Sequence, residues 1–443
     1  MIKKVPQAIL ALICFILPAL SFADNLLDAF ELAIESDPNL KAAQFARKAL
    51  MEEHSQTLAK YFPTIVFYST AGKTSQDLRA VAFDDPNDSS IRTTVYNELN
   101  FGIDLRQPIF NLKNFRSRNV SEVQVVQAEL KYRTSQEALL FRVAERYFGV
   151  LAGTDKLNFA RAEKNAIARQ LNQTKERFKL GLIAVTDVHE AQARHDMALA
   201  QEIKAESDVA NDKEVLRRIT GADHQQLMML KADTPLTPPS PSNLNDWIAA
   251  ARDQNLHIAS KKLEADLIKE KMEVLRAEHF PTLDFTATYG YNKSGGPFFQ
   301  ESLDANISLD FNMTIFKGNI LASKVRQLKY QFDEKIQEIE EKEREILQQT
   351  RSAYLGILAG MSYVKALSQA MKSSEQALKA TNAGFDVGTR TAIEVLDAQR
   401  ELFRSQRDYA SSRYEYMLNM LRLKMAVGLL SIDDLEQINS WLQ

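Results

Sequence analysis

The sequence predicts a mainly α-helical chain made of two tandem repeats, each holding a pair of amphipathic strands among long antiparallel helices. Three observations lead there: a stretch that occurs twice, two long blocks without proline, and period-2 alternation confined to short segments ahead of those blocks. Residues 177–193 and 384–400 carry the duplication. Phe178 aligns with Phe385, Gly181 with Gly388, Asp187 with Glu394 and Gln192 with Gln399, all at an offset of 207. Tyr147 and Tyr354 keep that offset upstream, and Gly221 and Gly428 keep it downstream. Chance matches drift, so an ungapped offset of this length marks a duplicated unit.

In chain order, residues 1–23 combine Lys3 and Lys4, an apolar run interrupted by Pro18, and a small-x-small junction ending at Ala23. This is the pattern of a secretory signal peptide, too short for a spanning helix. Cys14 lies inside it and is the single Cys, so disulfide and thiol chemistry are excluded for the mature chain. Without Lys3 and Lys4 the 55 basic residues fall to 53 against 58 acids, a formal charge of −5. That balance argues against nucleic-acid binding.

Each repeat opens with a helix, at about residues 36–60 and 256–279, and each helix runs into a Phe-Pro-Thr sequence, at Pro63 and Pro281. Proline ends the helix and a strand begins. After Pro281, Leu283, Phe285, Ala287, Tyr289 and Tyr291 share one face, opposite Thr282, Asp284, Thr286, Thr288 and Asn292. Residues 303–315 repeat the alternation. In the first repeat Val95, Leu99, Phe101, Ile103 and Leu105 alternate with Glu98, Asn100, Asp104 and Arg106, whereas the strand after Pro63 alternates less well. Polar loops are expected at 75–90 and 293–301.

Two readings fit such strands. One is a soluble sheet with one face on a core. The other is a membrane barrel, whose strands need about 9–11 residues to cross a bilayer. Four strands do not close a barrel, since membrane barrels start at about eight. Three copies would supply twelve.

The proline-free blocks predict helices from about 111 to 180 and 319 to 386, roughly 100 Å long at about 1.5 Å per residue. Val325, Leu328, Phe332, Ile336, Ile339 and Ile346 follow coiled-coil steps. Helices at about 186–221 and 391–428 run back. Gly181 and Gly388 end the outgoing helices; Thr391 with Glu394 forms a capping box, and Asp187 is placed to start the matching helix. Short segments near 243–255 and 431–441 form a lateral layer carrying Trp247 and Trp441. Residues 234–242, with four prolines, form a linker. The expected boundaries are therefore 24–233, 234–242 and 243–443.

The chain shows no phosphate-binding glycine loop, no His-Glu-x-x-His and no nucleophile elbow. His189 and His195 stand six apart, off the spacing of a helical metal pair. No enzyme activity, metal or cofactor is expected. Glu394 and Asp397 share one helix face near a helix N-terminus, where carboxylates are stabilised by the helix dipole. A threefold assembly would instead gather six of them around one axis.

These turns, the duplicated halves and the paired Phe-Pro-Thr strand entries resemble the TolC family of outer-membrane channel proteins across essentially the whole mature chain. The most specific matches are Arg177, Phe178, Gly181, Leu182 and Thr186 to Val188 in the first half. Val387 to Thr391 and Val395 to Ala398 are their equals in the second. The resemblance implies a homotrimer with a twelve-strand barrel in outer-membrane lipid and a twelve-helix periplasmic tunnel. A periplasmic adaptor and an inner-membrane transporter dock at its tip, and drugs or proteins leave through it. It also implies a gate: Asp187 and Arg390 as an inter-helix ion pair, Gln170 as a second link, and Glu394 and Asp397 as acidic rings at the constriction. The chain departs from the family at Phe385, where a tyrosine is usual, at Asn382, where an acid is usual, and at Glu394, where an aspartate is usual. A periplasmic coiled-coil adaptor outside the membrane is the alternative, but it would not need an apolar face from Leu303 to Ile315.

Overall fold

The computed structural model describes residues 24–81, 89–296 and 300–443. The expected leader, with Cys14, lies outside the described residues. The first repeat runs α1 (Leu26–Ser36), α2 (Pro38–Ala59), β1 (Thr64–Val81), β2 (Ser89–Asn111), α3 (Leu112–Lys179) and α4 (Val185–Thr220). The second runs α5 (Leu244–Gln254), α6 (Leu256–Ala277), β3 (Thr282–Ser294), β4 (Gln300–Asn312), α7 (Ile320–Asp386), α8 (Ala392–Val427) and α9 (Ile432–Asn439). α3 and α7, of 68 and 67 residues, are each on the order of 100 Å long.

The first repeat opens with two helices where the sequence suggested one of moderate length, whereas in the second α5 occupies the short segment expected at 243–255. The break after α1 is set by Asp37, whose carboxylate accepts the Leu40 N–H at 2.7 Å while Pro38 occupies the first helical position of α2. Asn255 does the same for α6, accepting from His257 and Ile258.

The four strands form one antiparallel sheet in the order β1-β2-β3-β4. Its register aligns the apolar positions into rows. Ile65, Leu105, Ala287 and Ile307 stand side by side, as do Phe67, Ile103, Tyr289 and Ala305. Interleaved rows on the opposite face are mostly polar: Thr70, Asn100, Asn292 and Ser302 make one. Val66 and Tyr68 stand on that face and Ser69 stands in an apolar row, which is why β1 alternates poorly. A bulge between Pro108 and Phe110 inserts one residue into β2, so that Phe110 pairs with Leu283. Proline has no N–H for the ladder, and the extra residue turns Phe110 onto the apolar face.

β1 and β2 have 18 and 23 residues, longer than the expected 9–13, and take in most of the stretch expected as a loop. Beyond Glu98, β2 has no β3 partner, and among the described residues its last tie to that side is the Gly295 N–H donating to the Asn97 carbonyl at 3.0 Å. An apolar face is not needed where both faces lie outside a membrane, and polar β-branched residues suffice. β4 ends at Asn312; Met313 and Ile315, expected in the strand, lie beyond it and are exposed.

The largest core sits at the waist of the helices, where α1, α5 and α9 pack around α3, α7 and α8. Leu26, Leu139, Tyr147, Phe148, Trp247, Tyr416 and Met417 are buried there. Fully burying one such side chain contributes about 1.5–3 kcal/mol. The linker is fastened to this core by side chains. Tyr354 donates to the Ser242 carbonyl, Tyr416 to that of Thr237, and Trp247 Nε1 to that of Pro241. Tyr147, the repeat equivalent of Tyr354, donates to the carbonyls of Asp24 and Met228.

Candidate functional site at the paired helical turns

The far ends of α3 and α7, opposite the sheet, reverse into α4 and α8 through two turns of the same construction. Leu182 N–H donates to Arg177 O at 3.0 Å and Gly181 N–H to Phe178 O at 2.9 Å. In the second turn Thr389 N–H donates to Gly384 O at 2.8 Å and Gly388 N–H to Phe385 O at 3.1 Å. This pair of bonds satisfies the last helical carbonyls and requires a left-handed residue. Gly181 and Gly388 supply it, at φ 72° and 79°.

The returning helices start differently. Thr391 Oγ1 accepts the Glu394 N–H while Glu394 Oε2 accepts the Thr391 N–H at 2.7 Å, so the expected capping box is present. In α4 the N-cap position falls on Ala184, with no side-chain cap, and Asp187 lies inside the first turn. Asp187 therefore does not start its helix, because Ala184 takes the extended backbone that precedes the first turn.

Arg390 reaches back across its turn and binds Glu394, Nη1 to Oε1 at 2.5 Å. Gly384 makes room for it: a Cβ there would stand 2.7 Å from the Arg390 Cγ. The Thr391 N–H, and then Arg390, hold the Glu394 carboxyl below its ordinary range. Within one chain Arg390 is thus paired with Glu394, and Asp187 has no ion-pair partner among the described residues. Asn382 is exposed and makes no side-chain hydrogen bond, and Gln170 is buried with its Nε2 unpartnered. A single protomer brings neither Asp187 to Arg390 nor Gln170 to Asn382.

Two arginines to which sequence reasoning gave no role join the two hairpins. The Arg177 guanidinium, from the last turn of α3, lies 4.0 Å from the centroid of the buried Phe385 ring. The phenyl ring thus has a cation for a partner, an attraction that needs no hydroxyl. Arg194 of α4 donates to Asp397 of α8 at 2.8 Å through Nη1 and to Glu190 at 3.3 Å through Nη2. Glu190 and Asp397 are repeat equivalents at the same offset of 207. The Glu190-to-Arg194 spacing of one helical turn was the available sequence signal.

The sequence profile described as outer membrane efflux protein matches residues 29–222 and 247–429. The chain belongs to this family. Among relatives, the outer membrane protein TolC of Vibrio cholerae is 32% identical over 95% of this chain and 94% of its own length. The alkaline protease secretion protein AprF of Pseudomonas aeruginosa is 26% identical, over 94% and 87% of the two chains. The solved structure of the Campylobacter jejuni CmeC outer membrane channel superposes with a TM-score of 0.76 at 16% identity, covering 95% of this chain and 90% of that one. That last likeness shows that this outer membrane efflux protein shares the channel's fold.

Proposed function

We propose that three copies of the chain form an exit duct through the outer membrane. The duct takes drugs or proteins from an inner-membrane transporter and a periplasmic adaptor. The observation that carries this reading is the sheet itself. Its apolar rows are exposed, with Ile307 at 74% and Phe311 at 65%, and both edge strands are open. A soluble sheet buries such a face, whereas a barrel turns it to lipid and closes its edges on the next copy. Three sheets of four give twelve strands. The α7 stripe expected as a helical seam is only part-covered, with Ile336 still 41% exposed, which leaves surface for a neighbouring protomer. The name of AprF favours protein cargo and the family name favours efflux; the mild overall charge selects neither.

The turns at the far end are the gate in this reading. Arg390 has a side chain 58% exposed in one chain, which supports a pairing with Asp187 of the next copy in this reading, with Gln170 and Asn382 as a second link between hairpins. Glu394 and Asp397 form acidic rings at the constriction, with Phe385 packed behind them.

The test is planar-bilayer conductance of the purified protein. Arg390→Ser or Asp187→Ala should raise conductance with the trimer still assembled. Multivalent cations added on the periplasmic side should block the current, and Glu394→Ala with Asp397→Ala should abolish the block. Unchanged conductance in the first pair together with persistent block in the second would leave these residues with no part in a gate. A protein that stays monomeric and never floats with outer membrane would end the duct reading altogether.

A further inference from the structure

The two hairpins of one protomer, α3/α4 and α7/α8, meet near the turns across a small layer that mixes apolar and polar groups. Ile167, Leu171, Ala191 and Ala198 from the first hairpin pack around Leu396 from the second. Polar side chains flank this cluster on every element that forms it. Gln170 is next to Leu171 on α3, Arg194 lies between Ala191 and Ala198 on α4, and Gln399 is one helical turn past Leu396 on α8. Each of the three keeps one buried atom without a hydrogen-bond partner: Gln170 Nε2, Arg194 Nε and Gln399 Oε1. Among the described residues only Arg47 and Arg142 have such atoms elsewhere. Buried polar groups are nearly always paired, so an unsatisfied group is a cost that favours any arrangement able to pair it.

One charged contact opposes that tendency. Arg194 has a side chain only 24% exposed, and it grips Asp397 across the hairpins at 2.8 Å while Glu190 steadies its second terminal nitrogen at 3.3 Å. Arg400 stands 3.5 Å from the same Asp397 oxygen, but along α8 itself, so it does not join the hairpins. An arginine held by two carboxylates in a part-buried place resists separation far better than an exposed ion pair does.

We propose that Arg194 is a latch that couples opening of the duct entrance to its ion selectivity. This rests on the reading of the turns as a gate and adds a residue to it. With the latch closed, the hairpins are held together and the charge of Asp397 is masked. When α8 moves away from α4, the contact breaks and the carboxylate is released, so the wider entrance also attracts cations more strongly. Within one protomer this bridge is the ion pair that joins the two hairpins at this layer, and it acts beside the links between protomers that the gate reading supplies.

Planar-bilayer recordings on the full-length assembled protein test the proposal. Arg194→Gln should raise single-channel conductance severalfold, shift the reversal potential in a potassium chloride gradient toward the cation limit, and lower the multivalent-cation concentration needed for block. Asp397→Asn should raise conductance similarly but move the reversal potential away from the cation limit. The exchange Arg194→Asp with Asp397→Arg rebuilds the bridge in reverse and should return conductance toward the parent value. Arg390→Ser serves as the reference for the gate itself. If Arg390→Ser opens the channel while Arg194→Gln and Asp397→Asn change neither conductance nor selectivity, the latch is refuted and the gate stands. If none of the three opens it, the gate reading fails. If Arg194→Gln does not assemble, Asp397→Asn breaks the same bridge from its more exposed side, and failure of the exchange to restore low conductance overturns the proposal.

Discussion

Thr391 sets the first turn of α8 through reciprocal bonds with Glu394, and that turn carries both Arg390 and the acidic face. Thr391→Ala should loosen this start by about 1 kcal/mol, the usual cost of losing a threonine cap. Hydrogen exchange of the amides at 392–395 should then quicken by roughly fivefold, with exchange in the α8 midsection unaffected. Acid should act on the same place. The Glu394 carboxyl is held below its ordinary range, so its contribution is present above the unfolded value and is lost as pH falls through the folded one. After correction for intrinsic rates, protection of the first turn should drop on acidification in the parent chain and not in Glu394→Gln. At this scale the sequence is legible where chemistry is local. The glycines of the turns and the capping box are recognisable because the interacting groups lie within six residues. Arg194 with Asp397, and Arg177 with Phe385, are separated by about 200 residues, and no local pattern says that two hairpins will meet there.

Among the elements, the strands give the sharpest test of what the sheet faces. Ile307→Arg places a charge in the middle of the apolar rows and should cost about 2–4 kcal/mol if those rows meet lipid, enough to deplete assembled trimer in membranes. Asn306→Lys, next along β4 but on the other face, should assemble like the parent. Equal loss of trimer from both variants would mean that the sheet is buried in protein on both sides. The long helices could be placed within a residue or so because prolines, capping residues and glycines mark their ends. The lengths of β1 and β2 could not, since in the ribbon beyond Glu98 no buried face imposes alternation. The break at Asp37 did carry a local signal, an aspartate cap followed by proline at the first helical position, and Arg142, far along α3, adds a contact to the same carboxylate at 3.1 Å.

For the molecule as a whole, the waist is where the two repeats become one body. Three helices and the tyrosine-pinned linker close over the middle of α3, α7 and α8, and Glu137 lies half-buried at the edge of that core. Burial pushes its carboxyl up to about 7. The folded chain therefore holds this proton more tightly than the unfolded chain does, and stability falls as pH rises from the ordinary carboxylate range to about 7. Glu137→Gln should raise the midpoint of thermal unfolding at pH 8 and change it little at pH 4. The gain is on the order of 1–2 kcal/mol, because partial exposure screens some of the roughly 1.4 kcal/mol per pKa unit.

The unequal hairpins shape the far end of the molecule. The β1/β2 ribbon continues for about nine residues past the last β3 partner, some 30 Å at about 3.3 Å per residue. The helices lie at the opposite end of the strands, so the ribbon points out of the cell. In a threefold barrel, three tall hairpins then alternate with three short ones, and the rim is crenellated instead of level. A small solute passes between the merlons without meeting them. A particle broader than the pore comes to rest on three points, with open notches beneath it through which cargo can still leave sideways.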